Sequence, residues 1–92
     1  MDSDKLGSMY DLQNKLKLDL TRIMTTEFFG TSNGINVFIL GNYDFVDIQI
    51  DNELMKDKEI LRDNLLLAIN SAVKKVELEK MKVLQNVNGI IL

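Results

Sequence analysis

The 92-residue chain, of 10.5 kDa, has room for one compact unit and none for a catalytic domain joined to a separate binding domain. Its 46% hydrophobic and 27% charged residues match an ordinary folded domain, and with neither cysteine nor histidine it lacks disulfides, thiolate nucleophiles, imidazole bases and Cys/His zinc sites. The net charge of −3, with an isoelectric point near 4.8, argues at first sight against a nucleic-acid binder, because phosphate contacts draw on Lys and Arg.

No apolar run approaches the roughly 18 residues of a membrane span, and residues 1–10 lack the basic and apolar regions of a signal peptide. A soluble, cytoplasmic protein without a membrane partner is expected. A monomer of this size buries only about 60–65% of the surface its unfolded chain exposes, so self-association would add stability.

Leu6, Met9, Leu16, Leu20 and Ile23 recur with 3-4 spacing, which predicts an amphipathic helix over about Lys5 to Met24 with Gln13 at a water-facing edge of the seam. Thr25-Thr26-Glu27-Phe28-Phe29 then favours a short extended strand. Gly30-Thr31-Ser32-Asn33-Gly34 is a turn cluster, read as a hairpin loop rather than a phosphate cradle, because no Gly-Lys-Ser/Thr follows it.

Ile35 to Leu40 forms the second predicted strand, with Ile35, Val37 and Ile39 on one face and Phe38 and Leu40 on the other. After a turn at Gly41-Asn42-Tyr43-Asp44, Phe45 to Asp51 alternates with period two. Val46, Ile48 and Ile50 are expected to point inward and Asp47, Gln49 and Asp51 to water. Asp47, Asp51 and Glu53 lack the spacing of a calcium loop and are read as a solvated face.

Asp57 is placed to cap a last helix of about thirty residues, running to near Asn86 and stopped by Asn88-Gly89, with Ile90 to Leu92 docking or fraying beyond it. One stripe holds Leu61, Leu65, Ala68, Ala72 and Val76; an overlapping one holds Leu66, Ile69, Val73, Val76, Val83 and Val87. Such a helix, about 45 Å long, outruns a three-stranded sheet, and its far half must meet something else, most simply another copy of the chain. The expected fold is a single α+β domain over residues 1–92: helix, three-stranded antiparallel sheet, long C-terminal helix, dimeric.

Charge is unevenly spread. Residues 1–30 carry four basic and five acidic groups, residues 31–53 none and four, and residues 54–92 seven and five. Lys15 and Arg22 lie seven apart on one helical stripe, as do Lys75 and Lys82. Each basic group also has a plain alternative as part of a solvated face: Asp11, Lys15 and Asp19 form an i,i+4 ladder, and Glu79 can pair with Lys75 or Lys82.

Val46-Asp47-Ile48-Gln49-Ile50-Asp51-Asn52-Glu53-Leu54, then Asp57-Lys58-Glu59-Ile60-Leu61, then Ala68-Ile69-Asn70-Ser71-Ala72 with Lys74-Lys75, closely resembles the YbaB/EbfC family of nucleoid-associated proteins. The glycine turn from Gly30 to Gly34, the strand from Ile35 to Gly41 and the helix start from Gly7 to Gln13 resemble it too. The resemblance implies an α/β homodimer with helices projecting like tweezers, which binds double-stranded DNA with little or modest sequence preference in nucleoid organisation or gene regulation. It implies a non-enzymatic protein of the bacterial cytoplasm and nucleoid, or of a plastid-like organelle, with no cofactor, metal or small-molecule substrate.

Lys15, Lys17, Arg22, Lys74, Lys75, Lys80 and Lys82 are the candidate phosphate contacts. The alternative is a dimeric protein-interaction module whose acidic centre binds a basic partner and whose DNA affinity is negligible. Paired carboxylates such as Asp47 and Asp51 offer a more distant enzymatic reading, without an evident pocket.

Overall fold

The computed structural model describes the chain from residue 2 to 91, and its side chains from residue 11 to 85. Helix α1 (Asp2–Thr25) leads into strands β1 (Glu27–Ser32), β2 (Ile35–Leu40) and β3 (Phe45–Ile50); a 3-10 turn over Asn52–Lys56 precedes helix α2 (Lys58–Ile91). The strands form one antiparallel sheet in the order β1-β2-β3.

Each boundary has a local cause. β1 continues through Gly30 to Ser32, so the expected five-residue loop shrinks to Asn33-Gly34, both at positive φ (40° and 90°), as a tight two-residue hairpin requires. Ser32 then pairs with Ile35 and Gly30 with Val37. Asp51 caps the 3-10 turn by accepting from the Glu53 N–H, and Asp57 caps α2, its Oδ1 accepting from Glu59 N at 3.0 Å and Ile60 N at 3.2 Å.

At the other end of α2 the expected stop at Asn88-Gly89 does not operate, and the helix continues to Ile91. One internal glycine costs only about 1 kcal/mol against alanine and removes no backbone hydrogen bond, so it does not by itself end a helix. Leu6, Met9, Val87 and Ile90 to Leu92, for which packing was expected, lie outside the residues whose side chains are described.

The core is one layer of contact between α2 and the sheet. Ile35, Val37 and Ile39 of β2 meet Ala68, Ala72 and Val76 of α2, all fully buried, with Phe28, Leu54, Leu61, Leu65, Ile69 and Val73 packed around them. Glycine sets the separation: a Cβ on Gly30 would overlap the Ala68 carbonyl oxygen and the Ala72 nitrogen. Gly41 lies equally tight against the Ile23 carbonyl, where α1 ends.

Asn64, only 8% exposed, fastens the hairpin to the start of α2. Its Oδ1 accepts from Ser32 Oγ (2.8 Å) and Asn33 Nδ2 (3.0 Å), while its own Nδ2 donates to the Ile60 carbonyl (3.0 Å). Every polar atom of this buried side chain therefore has a use.

β3 departs from expectation. Val46, Ile48 and Ile50 are not buried but 51%, 42% and 37% exposed. Ile48 and Ile50 do lie opposite Val37 and Ile35, hence on the face that α2 occupies. A helix about 10 Å across covers two strands spaced by about 4.8 Å and leaves the third bare. A register shift between Phe38 and Ile39 also takes Val46 out of direct pairing.

The molecule is correspondingly drawn out. Its 69 × 21 × 12 Å extents give a radius of gyration of 18.7 Å, against roughly 12 Å for a compact chain of this length. α2, about 51 Å long, overshoots a sheet of about 20 Å, and α1 packs antiparallel along the overshoot with Ile23 and Val83 buried between them. Gly30→Ala is expected to force the hairpin off α2 and lower the thermal midpoint, followed by circular dichroism, by about 5 °C or more, the equivalent of at least about 1 kcal/mol.

Candidate nucleic-acid interface

Seven basic side chains were singled out, and the helices divide them. On α1, Lys15 and Arg22 are seven residues apart and so about 20° apart around the axis, roughly a quarter-turn from the buried Ile23. Lys17 lies far round on the other flank. On α2, Lys75 and Lys82 share a stripe beside the free edge of β1, Lys74 points further outward, and Lys80 sits on the flank toward the β2–β3 turn.

Their engagement differs as well. Lys75 donates to the Phe29 carbonyl at 2.7 Å, and its ammonium sits 4.2 Å from the centroid of the Phe29 ring. It thus closes a carbonyl on the otherwise unpaired edge of β1, so that the helix covers part of that edge. Lys80 lies 4.4 Å from the Tyr43 ring centroid, clamping the turn to α2. Tyr43 holds a positive φ of 70°, which bulky residues seldom adopt.

Arg22 pairs with Asp19 and Lys82 with Glu79, each at 3.8 Å; both basic side chains are 72% exposed, and their acidic partners 28% and 43%. Such pairs contribute about 0–1 kcal/mol and are readily exchanged for a phosphate. Among the described residues, Lys15, Lys17 and Lys74 take part in no ion pair, so the expected Asp11–Lys15–Asp19 ladder and the Lys75–Glu79 pair do not form.

The contacts of Lys75 and Lys80 could not be anticipated from local pattern, since each joins residues from distant parts of the chain. The one signal was composition: Phe29 and Tyr43 are among only six aromatic residues. Sequence reading also missed a shallow groove of about 370 Å³ along α2, lined by Leu67, Asn70, Ser71, Lys74, Lys75 and Leu78. The carboxylates of the centre are used locally: Asp47 accepts from Ile48 N (2.9 Å) and Asp51 serves as a cap. Among the described residues no group of three acidic side chains is gathered as a metal site would need, and no helix is long and apolar enough to cross a membrane.

A small α+β unit with an exposed apolar sheet edge and cation-bearing paired helices is a scaffold for binding. The chain belongs to the YbaB/EbfC DNA-binding family, whose model matches residues 2–90. It is 42% identical over 69 residues to a nucleoid-associated protein of Francisella tularensis subsp. novicida (strain U112), an alignment spanning 72% of this chain and 62% of that protein. A nucleoid-associated protein of F. tularensis subsp. tularensis (strain WY96-3418) is 41% identical over the same length. The alignment thus spans less than two thirds of those relatives. The crystal structure of the uncharacterized protein HP0035 from Helicobacter pylori has the same fold, with a TM-score of 0.74 and 28% identity, covering 94% of this chain and 96% of that one.

The engagement of Lys75 gives it a structural role that Lys74 lacks. Lys75→Ala is expected to lower the urea midpoint by the equivalent of about 1–2 kcal/mol, through the lost carbonyl bond and ring contact, with Lys74→Ala within about 0.5 kcal/mol of the parent. Equal midpoints for the two variants would show that the Phe29 contact is energetically idle.

Proposed function

We propose that this chain is a nucleoid-associated, non-enzymatic protein that binds double-stranded DNA as a homodimer, chiefly through phosphate contacts with low sequence specificity. Family membership and the names of the Francisella relatives support the DNA-binding and nucleoid parts of this reading. The cytoplasm follows as its compartment.

Dimerisation is supported by surface area. The chain exposes 7043 Å², against roughly 5400 Å² for a compact protein of its mass. The excess, about 1600 Å², is more than the ~800 Å² that one partner gives to a standard interface. The apolar groups are contiguous: Val46, Ile48 and Ile50 on β3 continue into the half-buried Ile69 and Val73 and the exposed Leu66 of α2. A second copy covering this face hides the strand that α2 leaves bare.

The observation that carries the phosphate reading is the placement of two cationic stripes. α1 and α2 run antiparallel beyond the sheet, and each basic stripe is offset from its buried seam by about a quarter-turn in the same rotational sense. Reversing one helix brings the stripes to one side of the pair, so Lys15, Arg22, Lys75 and Lys82 line a single flank about two helices wide. Lys17 and Lys80 fall on the other. A dimer carries two such flanks, enough to offset a net charge of −3 per chain locally without altering its total.

The two flanks give an internal control. A Lys15→Ala/Lys82→Ala double variant removes four cations per dimer. In fluorescence-anisotropy titrations of duplex DNA it is expected to lose at least about tenfold in affinity and to flatten the log–log salt slope by about 2–4 units. Lys17→Ala/Lys80→Ala is expected to bind nearly as the parent does. Unchanged binding by the first variant with loss by the second would assign the contact to the opposite flank.

A further inference from the structure

The dimer described above uses the β3 side of α2 and leaves the groove on its other side open. Leu67 and Leu78 in that groove are 58% and 51% exposed, Lys74 and Lys75 flank them, and no carboxylate is among the lining residues. An apolar floor with a cationic wall fits a surface that is apolar and anionic.

This chain carries such a surface. On the sheet face turned away from α2, the register places Phe38 directly opposite both Phe29 and Asp47, with Glu27 opposite Leu40. Phe29 is 51% exposed and its ring lies 6.1 Å from that of Phe38. Asp47 of β3 and Glu27 of β1 are the carboxylates that the register places on this face, and the strands contribute no basic group to it; the Lys75 ammonium over the Phe29 ring marks its β1 edge. The Asp47 carboxylate has only amide partners next to it in sequence, Ile48 N and Gln49 Nε2. It therefore has acceptor capacity to spare.

We propose that the Leu67/Lys74/Leu78 groove of one copy docks the acidic outer sheet face of another, with Asp47 meeting Lys74, so that the base units join head to tail. The contact is between two different patches of the same chain. It is heterologous, so each added unit leaves a further groove and face to extend the assembly. Charge complementarity selects the partner, and apolar contact holds it. The association is accordingly salt-sensitive, because both charged groups are exposed and screened beyond about 10 Å at 0.1 M salt. It goes beyond the dimer and does not require DNA.

Sedimentation velocity on the intact protein without DNA tests it, over a concentration series at about 0.1 M and about 0.5 M salt. At the lower salt, species larger than the base unit are expected to grow with concentration; at the higher salt only the base unit should remain. Whether that unit is a dimer or a monomer tests dimerisation separately. Lys74→Glu and Asp47→Lys, both at exposed positions, should each weaken the larger species by at least about tenfold, and their combination should restore them. Circular dichroism establishes that each variant is folded. Absence of larger species in the parent, assembly of Lys74→Glu equal to the parent's, or failure of the combined exchange to restore it would each overturn the proposal.

Discussion

The close passage of α2 over Gly30 is the constraint on which the remaining architecture depends. Backbone rests nearly on backbone there, with Ala68 and Ala72 supplying the smallest side chains that still exclude water. A helix seated so closely on the β1–β2 hairpin buries Ile35, Val37 and Ile39 completely but spans only two strands. β3 is left with its apolar residues in water, and the far half of α2 is left without a sheet beneath it. α1 answers the second deficit within the chain. The first has no answer within it, and a second copy is the simplest.

Function follows from the same economy. α1 and α2 project together past the sheet, so Lys15 and Lys82 lie on an extended arm beyond the strands, whereas Lys75 lies against β1; the helices carry carboxylates of their own, of which Asp19 and Glu79 pair with Arg22 and Lys82. Strand carboxylates such as Asp47, separated from the arm by more than a Debye length of about 8 Å at physiological ionic strength, are largely screened from a phosphate there, and the Asp19 and Glu79 pairs are weak enough to exchange for one. An overall acidic balance is thus compatible with a local grip on a polyanion. The lysines are not equivalent: Lys75 and Lys80 are committed to Phe29 and Tyr43, whereas Lys15 is held by no ion pair among the described residues and Lys82 only by a weak surface pair.

Much of this was legible in the amino-acid sequence because the signals are local. The Leu16, Leu20 and Ile23 part of the α1 seam, the alternation of β2 and the cap at Asp57 each follow from neighbouring residues, and the structure places all three as expected. The buried placement of Val46, Ile48 and Ile50 was misjudged because alternation reports which residues share a face and not whether anything covers that face. Gly30 was read as part of a turn, whereas its lack of a side chain serves a helix nearly forty residues further along the chain. The division of the basic residues into two flanks was out of reach for a related reason: it depends on the direction in which α1 and α2 run past one another.

The central claim is that an acidic chain holds duplex DNA by releasing counterions from phosphates. Titration of the unmodified protein against a duplex at several salt concentrations tests this most directly. The account predicts a linear log–log plot with a slope of roughly −4 to −5, corresponding to about four to six phosphates neutralised, and similar slopes for unrelated sequences. A slope near zero, or no binding even in dilute buffer, would contradict it.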